Sequence, residues 1–277
     1  MSEKREAMLL VSVGAKGTGK TYQNLYVIKD YVRDKLSTGV RGRKVLIFDT
    51  NGEYTQESFE RAGIKDFDVK KIAPKDVVAF SKSKIVEARR IDARTLEVDE
   101  KLETLRYVIQ NFKGGMLVLE DINSYVLNTV HIRQIVSSII KARHMDLDIM
   151  ISYQSLRRLD PIMWANTTYI RMHYQLDGIS KYVDRANSED LMYISKYLVD
   201  YMYFKKGNKR FFLYINQYES EIIGAFTKED FKTACREYLN VKRNLVKEEM
   251  YRSGTGKDEA TNVVVETFIQ KYYGNKN

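Results

Sequence analysis

Met8-Leu-Leu-Val-Ser-Val13 runs directly into Gly14-Ala-Lys-Gly-Thr-Gly-Lys-Thr21, and this junction decides how the chain is read. The first six residues are almost wholly apolar and read as a buried β-strand. The next eight fit G-x-x-x-x-G-K-[ST], with Gly14, Gly19, Lys20 and Thr21 on the fixed positions. Gly17 adds a further point where the backbone can curl around an anion. From Tyr22 onward Leu25, Ile28, Val32 and Leu36 recur at helical spacing, so the loop is caught between a strand end and a helix start. Backbone N–H groups of Ala15, Lys16, Gly17, Thr18, Gly19, Lys20 and Thr21 then face phosphate oxygens, and the helix dipole favours their charge. Lys20 reaches the β and γ oxygens and the Thr21 hydroxyl holds Mg²⁺. The pattern predicts a site for ATP with Mg²⁺.

The downstream chain supplies more strands that end in polar residues. Ser37 to Gly42 is a polar turn, and Lys44-Val-Leu-Ile-Phe-Asp49 is a second buried strand. Thr50-Asn-Gly-Glu-Tyr54 follows at the strand end where ligands gather in parallel α/β sheets. Asn51 and Glu53 are placed to touch a ligand there, but spacing alone favours a plain turn shaped by Asn51-Gly52. Residues 55 to 85 are weakly patterned, with a short helix over Glu57 to Ala62 and a surface excursion through Pro74. Ala88 to Asp92 reads as a short strand and Val98 to Phe112 as a helix, stopped by Gly114-Gly115.

Met116-Leu-Val-Leu119 is then a central strand that delivers Glu120 and Asp121. Two acids at this place are the second half of a P-loop ATPase site, one on the metal side and one polarising the attacking water. By position Glu120 takes the metal and Asp121 the water. The usual order is Asp then Glu, so the division of roles stays open. Val130 to His144 is an amphipathic helix, and Leu147 to Ser152 is a further core strand opening onto Gln154. A polar side chain at that strand tip is placed to sense the γ-phosphate.

The succession of Gly14 to Thr21, Asp49-Thr-Asn-Gly-Glu-Tyr54, the strand into Glu120-Asp121, and Lys141-Ala-Arg-His144 leading to Gln154 resembles the FtsK/HerA superfamily of DNA-pumping ATPases. The Gly52-Glu53-Tyr54 turn is most similar to the HerA branch. Arg143-His144 also resembles the Zot-like assembly proteins of filamentous phages, which usually carry a membrane span. The resemblance covers residues 8 to 175. It implies an α/β fold, a P-loop NTPase of the ASCE type with a mainly parallel sheet flanked by helices. It also implies a homo-oligomeric ring of five or six subunits around DNA, double-stranded DNA being favoured, and an arginine donated in trans. Arg143 is the first choice for that arginine, Arg171 and Arg158 the next. A viral genome-packaging motor, with a portal or other virion component as partner, fits the compact length. A Zot-like ATPase moving single strands or virion components, and a non-motor ATP-binding switch, stand as alternatives.

Bulk properties agree with this reading. The 277 residues are 44% hydrophobic with two prolines, enough apolar material for a large core. Formal net charge is +9, which suits a polyanionic partner. Cys235 stands alone and the three histidines show no zinc spacing, which excludes a disulfide scaffold and a zinc module. With no long apolar run, membrane insertion is not expected, and the cytoplasm, the host's if the protein is viral, is the expected location.

The domain division expected is an ATPase domain over 1–218 with its core at 8–175, and a helical extension over 219–277. Thr168 to His173 reads as a strand and Asn187 to Asp190 as a helix start. Tyr201 to Lys205 and Arg210 to Tyr218 read as two strands around Lys206-Gly-Asn-Lys209, a hairpin whose Lys206, Lys209 and Arg210 are candidate DNA contacts. Thr227 caps a helix reaching about Arg243. Ser253-Gly-Thr-Gly-Lys-Asp258 mimics the opening loop but lacks a preceding strand and a hydroxyl residue after Lys257. It reads as a linker to a last helix over Thr261 to Tyr273.

Overall fold

The structure is a computed structural model; it describes residues 6–35, 39–120, 122, 129–143, 146–179 and 188–275, with 129–133 and 142–143 by backbone alone. Two compact units are present. One comprises Met1–Ser12, Gly19–Gln154 and Arg158–Thr167; the other comprises Val13–Thr18, Ser155–Arg157 and Thr168–Asn277.

The first unit is an α/β layer structure. Its strands β1 (Leu9–Val13), β2 (Lys44–Asp49), β3 (Val69–Lys71), β4 (Ala88–Asp92), β5 (Gly115–Leu119) and β6 (Leu147–Tyr153) lie in the order β3-β4-β2-β5-β6-β1. Pairing is parallel from β3 through to β6. Residues of β1, β5 and β6 are buried without alternation, which a strand covered on both faces requires. Helices α1 (Lys20–Val32), α2 (Gln56–Arg61), α3 (Val77–Lys82), α4 (Val98–Asn111), α5 (Thr129–Arg143) and α6 (Pro161–Asn166) complete the unit. Strand β6 stands between the loop-bearing β1 and the acid-bearing β5, the arrangement of an ASCE-type P-loop NTPase.

Opposite the strand tips, Asp148 in β6 is fully buried. It accepts from Met8 N at 2.7 Å and Tyr31 Oη at 2.5 Å, and Arg43 Nη1 lies 3.5 Å away. A buried carboxylate surrounded in this way ties the starts of β1, β2 and β6 to α1 instead of destabilising the core.

Residues 55–85 hold more structure than their pattern shows. Besides α2, capped by Thr55 accepting from Ser58 N, they contain β3, a 3-10 turn at Pro74–Asp76 and α3. Strand β3 turns only Val69 inward, too little for a periodic signal.

In the second unit β7 (Tyr169–His173), β8 (Phe212–Asn216) and β9 (Glu221–Gly224) pair antiparallel. They are joined by α7 (Glu189–Phe204), α8 (Lys228–Val241), α9 (Arg243–Ser253) and α10 (Lys257–Tyr272). Tyr201 to Phe204 are the last turn of α7, not a strand: Leu191, Ile194, Leu198 and Met202 carry a helical stripe that overrides the β preference of the aromatic run. The hairpin is instead β8–β9, and Lys206, Lys209 and Arg210 sit on the connection from α7 to β8. Ser188 and Thr227 cap α7 and α8 as their sequences predict. Gly254 closes α9 in the left-handed conformation and α10 follows from Lys257, so the second Gly-rich stretch is a helix junction.

Tyrosines bind these helices together. Tyr238 Oη donates to Asp190 Oδ1 at 2.6 Å, and Tyr272 Oη is 2.7 Å from Ser188 Oγ. Cys235 is buried in α8, and burial pushes its thiol well above the usual range. Among the described residues, no helix is long and apolar enough to cross a membrane.

Gly115 fixes the spacing of β5 and β2. It pairs with Lys44, and a Cβ at Gly115 would lie 2.5 Å from Lys44 O and 3.0 Å from Phe112 Cζ. Gly115→Ala is expected to lower unfolding free energy by about 1–3 kcal/mol, measured by urea denaturation. An unchanged midpoint would show that the two strands have room to separate.

Candidate functional site

The loop after β1 has the backbone that its glycines predict. Gly17 and Gly19 take φ of 82° and 92°, a region open to glycine and strained for other residues. Gly14 is required for a different reason: its Cβ would fall 2.6 Å from His173 Cβ and 2.9 Å from Thr18 Oγ1. Ala15 N donates to Tyr174 O at 2.8 Å, Thr18 Oγ1 to Ala15 O at 2.8 Å, and His173 Nδ1 lies 3.1 Å from Thr18 O. The segment Val13–Thr18 is thus shaped by the chain around the end of β7.

Helix α1 starts at Lys20 with no side-chain cap and no acid in its first turn. Helix α9 likewise has none, whereas α4, α7, α8 and α10 each open with two acids. Leaving acids out of the first turn suits the positive end of the dipole to an outside anion.

A polar network lies at the tips of β2, β5 and β6, facing α1. Glu120, the residue after β5, is 5% exposed. Its Oε2 accepts a short hydrogen bond from Tyr54 Oη, and Asn24 Nδ2 lies 3.5 Å away. Asn24 also donates to Tyr54 Oη at 2.8 Å and to Ser152 Oγ at 3.0 Å. Thr21 Oγ1 donates to Glu53 Oε2 at 2.7 Å and is 3.4 Å from Glu120 Oε1. Burial raises the Glu120 carboxyl to about 7; the Tyr54 hydroxyl and Lys20 oppose the rise, and the charges of Glu53 and Asp49 add to it. Burial, followed by the Glu120 charge, also pushes the Tyr54 phenol well above its usual range.

The Asp49-Thr-Asn-Gly-Glu-Tyr54 turn builds half of this network, and each of its key residues has a distinct task. Asp49 Oδ1 accepts from Gly52 N at 2.7 Å and Glu53 N at 3.1 Å, and Oδ2 accepts from Tyr54 N at 3.3 Å. Arg90 Nη1 holds the same carboxylate at 3.2 Å. Gly52 takes φ of 75° and passes 2.7 Å, as a notional Cβ, from Arg94 Cδ. Wound in this way, the turn presents Glu53 to Thr21 and drives Tyr54 inward onto Glu120. Spacing favoured a plain turn for these residues; the signal that could have found Glu53 is an Asp and a Gly fixing a turn at a strand tip.

The other expected residues are distributed as follows. Gln154 is exposed immediately after β6. Asp121 lies outside the described residues; Arg143 is the last residue of α5, described by backbone alone. Arg158 is exposed, whereas Arg171 is wholly buried in β7 and is not presented for donation to a neighbour. Lys206 Nζ is 3.3 Å from Asp230 Oδ1, and Lys209 Nζ stands 3.8 Å above the Tyr203 ring.

The donors present suit Mg²⁺. Thr21 and Glu120 offer only hard oxygens, with Glu53 beside them, and among the described residues no group of three or more His, Cys, Asp or Glu is gathered for a metal. A few oxygens completed by substrate phosphates are the usual setting of Mg²⁺ in nucleotide sites.

No family model and no curated protein matches the chain. Among solved structures it is similar to the genome packaging NTPase B204 from Sulfolobus turreted icosahedral virus 2 in complex with ATP-gammaS. That match has 17% identity and a TM-score of 0.49 over 78% of this chain and 95% of the other. The same protein in complex with AMP gives 17% identity and a TM-score of 0.47 over 81% and 100%. The N-terminal domain of zonular occludens toxin from Neisseria meningitidis gives 16% and 0.32 over 60% and 76%.

Asn24 joins α1, Tyr54, Glu120 and Ser152 while wholly buried. Asn24→Ala leaves these groups short of a donor and is expected to cost about 1–3 kcal/mol of stability by urea denaturation. A midpoint equal to that of the unchanged protein would mean that water replaces the amide.

Proposed function

We propose that this chain hydrolyses ATP to drive DNA through a homo-oligomeric ring, as a viral double-stranded DNA packaging motor. The observation that carries the ATPase part is the Thr21–Glu53–Glu120 cluster. A hydroxyl at the start of α1, following a glycine-shaped loop, meets two carboxylates from the tips of β2 and β5. Ala15 N is committed to Tyr174 O, so the amides of Lys16 to Thr21 with the Lys20 side chain would bind the phosphates, and Thr21 with Glu120 would hold Mg²⁺. Bound Mg²⁺ supplies charge neutralisation to the phosphates during transfer. Tyr54 and Asn24 keep the Glu120 carboxylate in one orientation, and Gln154, exposed beyond β6, would respond to the γ-phosphate.

The motor part rests on the sequence resemblance and on charge. Arg143 ends α5, and in a ring its guanidinium would complete a neighbour's site only when the subunits close. Lys206, Lys209 and Arg210 on the α7–β8 connection are exposed and suit backbone phosphates of DNA.

Lys20→Ala is expected to abolish ATP turnover. In the unchanged protein, duplex DNA should stimulate turnover, and the stimulation should fade with added salt. Stimulation by single strands alone would favour the Zot-like reading. Nucleotide binding with no turnover and no ring by electron microscopy would favour a switch.

Replacing Arg143 by Ala is expected to leave ATP binding intact while removing most turnover. Mixing these subunits with Lys20→Ala subunits should restore part of it, because each supplies what the other lacks. No recovery at any mixing ratio would remove Arg143 from the trans role.

A further inference from the structure

Glu53 and Glu120 both approach Thr21, yet their surroundings suit them to different work. Glu120 is buried, and its Oε2 is committed to the Tyr54 hydroxyl with Asn24 alongside. A carboxylate held in this way keeps its position and has little access to a mobile water. Glu53 is exposed, rides on a turn pinned by Asp49, and is one hydrogen bond from the Thr21 hydroxyl. A general base needs such access, a fixed backbone and proximity to the reacting phosphate.

We propose that Glu53 is the carboxylate that takes the proton from the attacking water, with Glu120 on the metal side. The inference rests on the ATPase reading above. In the step, the water oxygen forms a bond to the γ-phosphorus as its proton passes to a Glu53 oxygen. The bond from the γ-phosphorus to the β–γ bridging oxygen breaks, and ADP leaves with that electron pair. Glu53 then returns the proton to solvent, and the products are ADP and inorganic phosphate. The Thr21 hydroxyl and the Asp49-held turn fix where the carboxylate stands, so Glu53 need not be buried to be positioned.

Four full-length chains test this: the unchanged protein, Glu53→Gln, Asp121→Asn and Lys20→Ala. Each is measured for thermal unfolding, for equilibrium binding of a fluorescent ATP analogue with and without Mg²⁺, and for single-turnover hydrolysis of labelled ATP. Glu53→Gln should unfold with the unchanged protein and bind the Mg²⁺ complex within about threefold, yet hydrolyse at least about 100-fold more slowly, leaving intact ATP on the protein. Hydrolysis close to the unchanged rate would overturn the proposal. So would a loss of Mg²⁺-dependent binding that matches the loss of rate, which would make Glu53 a metal ligand. Full loss in Asp121→Asn beside normal hydrolysis in Glu53→Gln would move the role to Asp121. If all four chains bind nucleotide alike and none hydrolyses it, the ATPase reading itself fails, an outcome distinct from the others.

Discussion

Placing a carboxylate at the tip of a central strand and then covering it is unfavourable, because an ion taken from water loses several kcal/mol of solvation unless donors replace it. Glu120 is in that position, and much of the first unit is arranged around it. Tyr54 comes from the turn after β2 and Asn24 from the second turn of α1, with Ser152 from β6 held by the same amide. Each donor fixes its own element as well as the carboxylate. The network therefore sets the spacing of β2, β5, β6 and α1, and burial outweighs the donors in raising the proton affinity of Glu120.

The charge of the chain is distributed with the same economy. Four long helices open on paired acids, whose charge complements the positive ends of their dipoles. Helix α1, like α9, has none, so the positive end of its dipole comes together with Lys20 in a protein carrying formal charge +9. The acids that do approach, Glu53 and Glu120, reach the Thr21 side chain and do not cap the helix.

The readable features of the sequence were those in which one local constraint dominates. Gly14 to Thr21, the apolar strands β1, β2, β5 and β6, and the Thr227 cap each depend on neighbours within a few residues, and they stand as their patterns imply. Tyr201 to Phe204 misled because aromatic β preference and a helical stripe point to opposite structures, and packing of α7 decides. Strand β3 was too short to show a period. Glu53 was visible as a residue but not as a site residue, since its partner Thr21 lies 32 positions away. The burial of Arg171 was equally non-local, set by β7 pairing with β8.

The Gly14–Thr18 loop carries a cost that its compact motif conceals. It is held by Tyr174 and His173, the latter bonded to Thr18 across 155 positions. During synthesis Gly14 to Thr18 leave the ribosome early, but the chain that gives them their shape arrives only after β6 and β7. A nascent chain can therefore complete most of its first unit before the loop is formed. The Gly14–Thr18 loop takes its shape late in the birth of the molecule, after most strands of the first unit have been synthesised.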